Sequence, residues 1–329
     1  MYMWSLRSRA LEKELVSFVI PCYNSTNTIA TVLEEITETM TSVLSQYDYE
    51  IILVNDCSPD GTTYDEICRL AEEDKYIRGV NLSRNFGQPS AVMAGLNYAK
   101  GDYVVCGDDD GQTPFCMLPQ FFQKMDEGYD VVEARYATRE KRSPIRNIGT
   151  KMNDAMACWL IGKPKGIQLT SFWLVRRYVV NEVIRYSNSY PYIGGLLLRA
   201  TRNICNVDVE GRDRLEGHSG YDIKRLLLLW LNGFTSFSIK PLRIVTLLGM
   251  MVSVVGFVMA IFTIVRKLLN PMIDAGYSST IAIILFMFGV LFVILGMLGE
   301  YIGRINIASN NAPTYVVRET INIDKDEEE

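Results

Sequence analysis

Two stretches near the C-terminus, 244–265 and 277–299, contain no charged residue, whereas the preceding residues have the mixed composition of a water-soluble domain. Each stretch is long enough to cross a hydrocarbon core of roughly 30 Å at about 1.5 Å per residue. A buried core helix would read the same if it stood alone. Two in succession after a polar domain point to a membrane hairpin, expected at 244–267 and 277–301. Lys224, Arg225, Lys240 and Arg243 precede the first stretch and Arg304 follows the second, which sets both flanks in the cytoplasm. Arg266 and Lys267, in the short connection between the stretches, count against that orientation.

The N-terminal extension, 1–15, carries Arg7, Arg9 and Lys13 without an apolar run, so no signal peptide is expected there. The main domain, 16–215, is expected to stay in the cytoplasm, joined to the membrane by a juxtamembrane segment, 216–243, and followed by a cytoplasmic tail, 302–329. Seven cysteines without a CxxC pair suit a reducing compartment. A net charge of −5 gives no reason to expect a nucleic-acid partner.

From residue 15 the pattern alternates. Apolar runs at 15–20, 50–54, 79–82, 103–106 and 130–134 read as strands. Segments at 28–44, 64–73, 90–99 and 118–127 have helical spacing. This order predicts an α/β fold built on a mostly parallel, Rossmann-like sheet. In such sheets ligands bind at the carboxyl ends of strands, and three polar motifs fall there: 21–24 (Pro-Cys-Tyr-Asn), 55–62 (Asn-Asp-Cys-Ser-Pro-Asp-Gly-Thr) and 108–112 (Asp-Asp-Asp-Gly-Gln).

The last motif is the most telling chemically. Three adjacent carboxylates repel one another unless a cation sits among them, and Mg²⁺ or Mn²⁺ holding a diphosphate takes such oxygens. A solvated acidic turn would carry the same letters. Beyond residue 135, Arg135, Arg139, Lys141, Arg142, Arg146 and Lys151 form a basic stretch opposed only by Glu140, either a solvated face or a phosphate site. The segment 222–231 is strongly apolar with Lys224 and Arg225 at its start, a pattern suited to the membrane interface.

These motifs, with 83–88 (Ser-Arg-Asn-Phe-Gly-Gln), 217–221 (Gly-His-Ser-Gly-Tyr) and 298–304 (Leu-Gly-Glu-Tyr-Ile-Gly-Arg), together resemble the family-2, GT-A-fold glycosyltransferases of the polyprenyl-phosphate type. The chain looks most similar to the bacterial undecaprenyl-phosphate group with two C-terminal transmembrane helices. The resemblance implies an inverting transfer of one sugar from a nucleotide-sugar, by default a UDP-sugar, to undecaprenyl phosphate. It places Pro21, Tyr23, Val54 and Asp56 at the base and ribose, with Asp108, Asp109 and Arg214 also on the donor. Asp108, Asp110 and Gln112 would hold Mg²⁺ or Mn²⁺, with Asp109 in the variable middle position. Arg135, Arg146 and Lys151 would face the acceptor phosphate, and Asp108, Asp110, Arg135 and Arg214 would carry catalysis. Membrane lipids are partners by the two uncharged stretches, and a second copy of the chain is expected because self-association would extend so small an anchor.

The chain departs from the family pattern at four places. Ser25 stands where a glutamate is usual, and Asn55 where the first of two aspartates is usual. The segment 170–174 lacks the common Asp-Phe-Arg, and His218 and Gly220 replace a common glutamate and lysine. A processive polysaccharide synthase of the same fold would carry a Gln-x-x-Arg-Trp motif and more spans, and neither is visible. A non-catalytic membrane scaffold would have no use for clustered, repelling acids.

Overall fold

The computed structural model describes residues 13–136, 158–159, 162–186, 191–212, 276–309 and 313–323, with scattered positions between 247 and 269. The chain divides into two compact units, Met1–Gly220 with Asn311–Glu329, and Tyr221–Asn310.

In the first unit the expected alternation is present. β1 (Leu15–Cys22), α1 (Ile29–Ser42), β2 (Asp48–Asn55), α2 (Thr63–Glu73), β3 (Ile77–Leu82), α3 (Gln88–Tyr98), β4 (Tyr103–Cys106), α4 (Leu118–Asp126) and β5 (Val131–Tyr136) follow in order. Three further strands and two helices complete the unit: β6 (Trp173–Arg176), α5 (Arg177–Val183), α6 (Ile193–Ala200), β7 (Ile204–Val209) and β8 (Val317–Ile321). They form one eight-stranded sheet in the order β7-β5-β6-β4-β1-β2-β3-β8. The ladders β1–β2, β1–β4, β2–β3 and β5–β7 are parallel; β6 and β8 run against their neighbours. The sheet is thus mostly parallel, as the alternation requires.

Both faces are covered, which is why the central strands read as unbroken apolar runs. On one face Phe18, Ile20, Ile36, Met40, Leu53, Val105, Phe115, Phe121, Val132, Ala134, Phe172 and Leu174 form a continuous core. On the other, α3 lies on β1 and β2, and a Cβ at Gly95 would collide with Val19 and press on Val54. Val54, which the resemblance assigns to the base and ribose, is fully buried there, with its side chain in the core.

β8 lies within the segment expected to be a tail. Ser83 N–H donates to Val316 O at 2.9 Å, and Arg78 Nε donates to Asn322 O at 3.3 Å. Asn322, in the left-handed region at φ 57°, donates from Nδ2 to Ala71 O (2.6 Å) and Ile77 O (2.9 Å). Gly79 makes room for this strand: a Cβ there would lie 2.5 Å from Ile321 Cγ2 and 2.8 Å from Ile67 Cγ2.

In the second unit, α7 (Tyr277–Ser309) contains the window Phe286–Gly303, with a mean hydropathy of 1.9. Among the described residues it is the one helix long and apolar enough to cross a membrane. It runs past the expected end at residue 301. The first expected span is described only at scattered positions, all helical; the juxtamembrane segment and the acidic end, 324–329, lie outside the described residues.

One buried group lies outside this apolar arrangement. Glu133 on β5 is fully buried; one carboxylate oxygen accepts the Thr170 N–H at 2.5 Å and the other has no partner among the described residues. Burial pushes its carboxyl up to about 8, from an ordinary 4.5, against the opposing influence of the Thr170 bonds and Lys163. An acid whose folded value is raised favours folding below its unfolded value and loses that advantage as pH rises through the folded value. The fold should therefore lose on the order of 2 kcal/mol between pH 6 and 8, at about 1.36 kcal/mol per unit. Glu133→Gln is expected to flatten that slope and raise Tm at pH 8, as read by thermal melts across pH 5–9. An unchanged slope would place the ionisation elsewhere.

Candidate active site at the carboxyl edge of the sheet

β1, β2 and β4 are parallel neighbours, so the loops that follow them converge at one edge. Bonds between these loops separate the three consecutive acids into three environments. Asp108 is half-buried. Its Oδ1 accepts from Gln88 Nε2 at 2.7 Å, its Oδ2 accepts from the Ser171 hydroxyl, and its N–H donates to Thr113 Oγ1 at 3.0 Å. Gln88 opens α3, and Ser171 lies just before β6, so the carboxylate is braced from two directions.

Asp109 turns the other way. Its Oδ2 accepts the Tyr23 N–H at 3.1 Å and the Ser25 hydroxyl. Burial pushes its carboxyl up to about 6; those two bonds lower it, and Asp108 and Asp110 add repulsion. The middle acid is therefore a clasp between the β4 and β1 loops, not a spare position. Ser25 supplies the donor that a glutamate could not, which gives the departure at that position a physical reason.

Asp110 closes its own turn. Its Oδ1 accepts the Gln112 N–H at 3.0 Å across Gly111, whose φ of +76° suits glycine. Gln112 Nε2 donates to Arg212 O at 3.0 Å, tying this turn to the segment after β7. Arg212 in turn pairs with Glu35 at 2.7 Å.

The β2 loop serves a positioning role. Asp56 is buried, and its two oxygens accept the N–H groups of Phe86 (2.7 Å) and Gly87 (2.8 Å). Burial raises its carboxyl and these two bonds oppose the rise. The carboxylate that the resemblance assigns to the nucleotide thus fixes the turn leading into Gln88, and through it Asp108. Pro21 is buried at the end of β1, while Tyr23 is 47% exposed and presents its ring at the rim.

Arg135 is placed differently from expectation. Its Nε and Nη2 donate to the two Asp208 oxygens at 2.5 and 2.9 Å, an exposed pair between parallel β5 and β7. Val132 and Ala134 belong to the core on one sheet face, so strand alternation puts Arg135 on the other. It is half of an ion pair with Asp208. The neighbouring Tyr136 feels the acids: its hydroxyl is pushed up to about 12, chiefly by burial and then by Asp108 and Asp110, and it hydrogen-bonds Thr113.

Sequence reasoning missed Gln88, Ser171 and Tyr136 as parts of this site. Gln88 lay within a quoted motif and Ser171 within the segment 170–174 noted for its departure from the family pattern; Tyr136 carries no local signal. Arg146, Lys151, Arg214 and His218 lie outside the described residues.

The donor set fits a hard divalent cation. The described residues contain no group of three or more acids, histidines or cysteines arranged to hold a metal on its own. By donor type, the carboxylates of Asp108 and Asp110 and the amide oxygen of Gln112 are the oxygen ligands that Mg²⁺ or Mn²⁺ takes jointly with substrate phosphates.

Comparison with known proteins agrees with this geometry. Residues 17–184 match the model of glycosyl transferase family 2, and residues 240–305 match the GtrB C-terminal hairpin. The undecaprenyl-phosphate 4-deoxy-4-formamido-L-arabinose transferase of Proteus mirabilis is 33% identical over 314 residues, covering 94% of this chain and 95% of its own. An uncharacterized glycosyltransferase of Bacillus subtilis, YkcC, is also 33% identical, over 94% of both chains. Among solved structures, glucosyl-3-phosphoglycerate synthase from Mycobacterium tuberculosis, in complex with Mn²⁺, UDP and phosphoglyceric acid, superposes with a TM-score of 0.51. It is 18% identical and the match covers 70% of this chain and 78% of that one, a likeness of fold alone.

Proposed function

Because the chain belongs to glycosyl transferase family 2, we propose that it transfers a single sugar from a nucleotide-sugar, a UDP-sugar in the first instance, to undecaprenyl phosphate with inversion at the anomeric carbon. It is a glycosyltransferase, with its acids at the edge where the β1, β2 and β4 loops converge. The observation that carries the acceptor is the full-length likeness to an undecaprenyl-phosphate sugar transferase, hairpin included.

Asp110, Gln112 and Asp108 would hold Mg²⁺ or Mn²⁺, which supplies charge neutralisation for a departing diphosphate. Tyr23 offers a ring at the rim for the base. Asp109, Asp56 and Gln88 hold the loops in place before substrate arrives, so little reorganisation is needed at the reacting centre. The acceptor phosphate is already an anionic nucleophile and needs no general base. Arg214 is assigned to the donor diphosphate, and Arg146 and Lys151 to the acceptor phosphate.

The path of the chain supports a two-span anchor. The second unit is entered from the first and left again to it, because β8 belongs to the same sheet as β1–β7. A chain that crosses a membrane in α7 must cross a second time to rejoin that sheet, and the uncharged stretch at 244–265 is long enough. The basic residues flanking the two stretches, Lys240, Arg243 and Arg304, assign the catalytic unit to the cytoplasmic side of the cell membrane. Purified full-length chain with undecaprenyl phosphate, Mn²⁺ and a panel of labelled nucleotide-sugars is expected to yield one lipid-linked sugar. Hydrolysis without lipid product from every donor would overturn the acceptor assignment.

A further inference from the structure

We propose that Glu319, on the strand that follows the membrane hairpin, sets the polarity of a side-chain relay that shapes the donor loop, making it a positioning residue for the nucleotide. This rests on the donor-site reading above.

The relay has four links. Glu319 Oε1 accepts from Asn81 Nδ2 at 2.7 Å, and Asn81 Oδ1 accepts from Asn55 Nδ2 at 2.8 Å. Asn55 Oδ1 accepts from both the Ser58 N–H (3.2 Å) and the Ser58 hydroxyl (2.6 Å). Ser58 Oγ accepts the N–H of Asn24, the residue after Tyr23, at 3.1 Å. Asn24 and Cys57 both sit in the left-handed region, at φ 56° and 51°. The two loops therefore have tight turns that these bonds must hold.

A side-chain amide has a donor end and an acceptor end, and only its partners decide which way it faces. Here both ends of the chain dictate the same direction. The Ser58 backbone N–H can only donate, so Asn55 must turn its oxygen toward Ser58 and its nitrogen toward Asn81. Asn81 must then present oxygen to Asn55 and nitrogen to β8, where a carboxylate oxygen of Glu319 accepts it. Asn55 and Asn81 are both buried, so neither can exchange a wrong partner for water without cost. Replacing Glu319 by a donor would invert Asn81 and bring two NH₂ groups face to face at Asn55.

The same logic explains Asn55. An aspartate there could not donate to Asn81, so it would force Asn81 to turn its nitrogen inward and its oxygen toward Glu319, acceptor against acceptor. Asn55 and Glu319 are thus a matched pair across the sheet.

The test uses the full chain in detergent with Glu319→Ala, Glu319→Gln, Glu319→Lys, Asn55→Asp and the double variant Asn55→Asp/Glu319→Lys. Binding of UDP with Mn²⁺ by calorimetry reads the donor site. Amide exchange at Asn24 and Ser58, without nucleotide, reads the loop itself. Glu319→Lys and Asn55→Asp are each expected to weaken UDP binding about tenfold and speed exchange at both amides. Glu319→Ala should cost less, and Glu319→Gln, which keeps an acceptor, should match the wild type. The double variant reverses the two bonds made by Asn81, leaves those of Ser58 and Asn24 as they are, and is expected to recover most of the loss.

Unchanged exchange and UDP affinity in Glu319→Lys, or a double variant no better than the worse single one, would overturn the relay. Wild-type protein that binds no UDP, while the single variants still speed exchange, would instead remove the donor reading and leave the relay in place.

Discussion

Asp110→Asn is expected to lower sugar transfer by about two to three orders of magnitude while the melting temperature stays within about 2 °C. The asymmetry follows from what the side chain does in the fold. Asp110 accepts the Gln112 N–H within its own turn, and an asparagine oxygen can keep that bond. The substitution removes a full negative charge from a cation that has only a few protein oxygens. Asp108→Asn is the less clean experiment, because both Asp108 oxygens accept hydrogen bonds, from Gln88 and Ser171, so an amide would leave one donor facing another. Asp109→Asn should act differently again, by loosening the clasp to Ser25 and Tyr23. Steady-state kinetics on the three variants, with Mn²⁺ titrated, would separate them. An Asp110→Asn enzyme of wild-type activity would remove the metal site from this turn.

Ending the chain after residue 312 is expected to destabilise the catalytic unit by roughly 3–5 kcal/mol, lowering its melting temperature by about 10 °C. The deletion removes residues that were expected to be a mere tail. It would strip the antiparallel ladder from β3 and uncover Gly79, whose missing side chain is filled by Ile321. It would also take the Asn322 carbonyl from the buried Arg78 and two donated bonds from Ala71 O and Ile77 O. Arg78 keeps Glu50 and Tyr98 O, so the effect should fall short of global unfolding. Because α7 is retained, membrane association should survive; thermal melts and flotation read the two properties separately. A truncated protein melting within about 2 °C of the full chain would show that β8 contributes nothing to the unit.

The first five strands and four helices were legible because each carries its own periodicity, and observed boundaries differ from those expected by only a residue or two. β6 and β7 are short and paired to strands far away in sequence. β8 pairs with a strand more than two hundred residues earlier, with the whole second unit between them in the sequence. No local pattern can announce such a partner, since Val317–Ile321 alternates no more clearly than many surface loops.

The candidate site was legible to a similar depth. Acids at the end of β4 and polar loops after β1 and β2 were placed at one sheet edge by the alternation alone. The chain by itself determined that edge and the type of chemistry its oxygens can perform, because residue type and strand order suffice for both. Only the tertiary structure decided which acid serves which end. Three consecutive aspartates leave a strand in different directions, and what each meets (Gln88 and Ser171, Ser25 and Tyr23, or its own turn) comes from elements distant in sequence. It likewise assigned Arg135 to Asp208 and joined Glu319 to the donor loop, since hydrogen-bond partners are chosen by proximity in space and not by order along the chain.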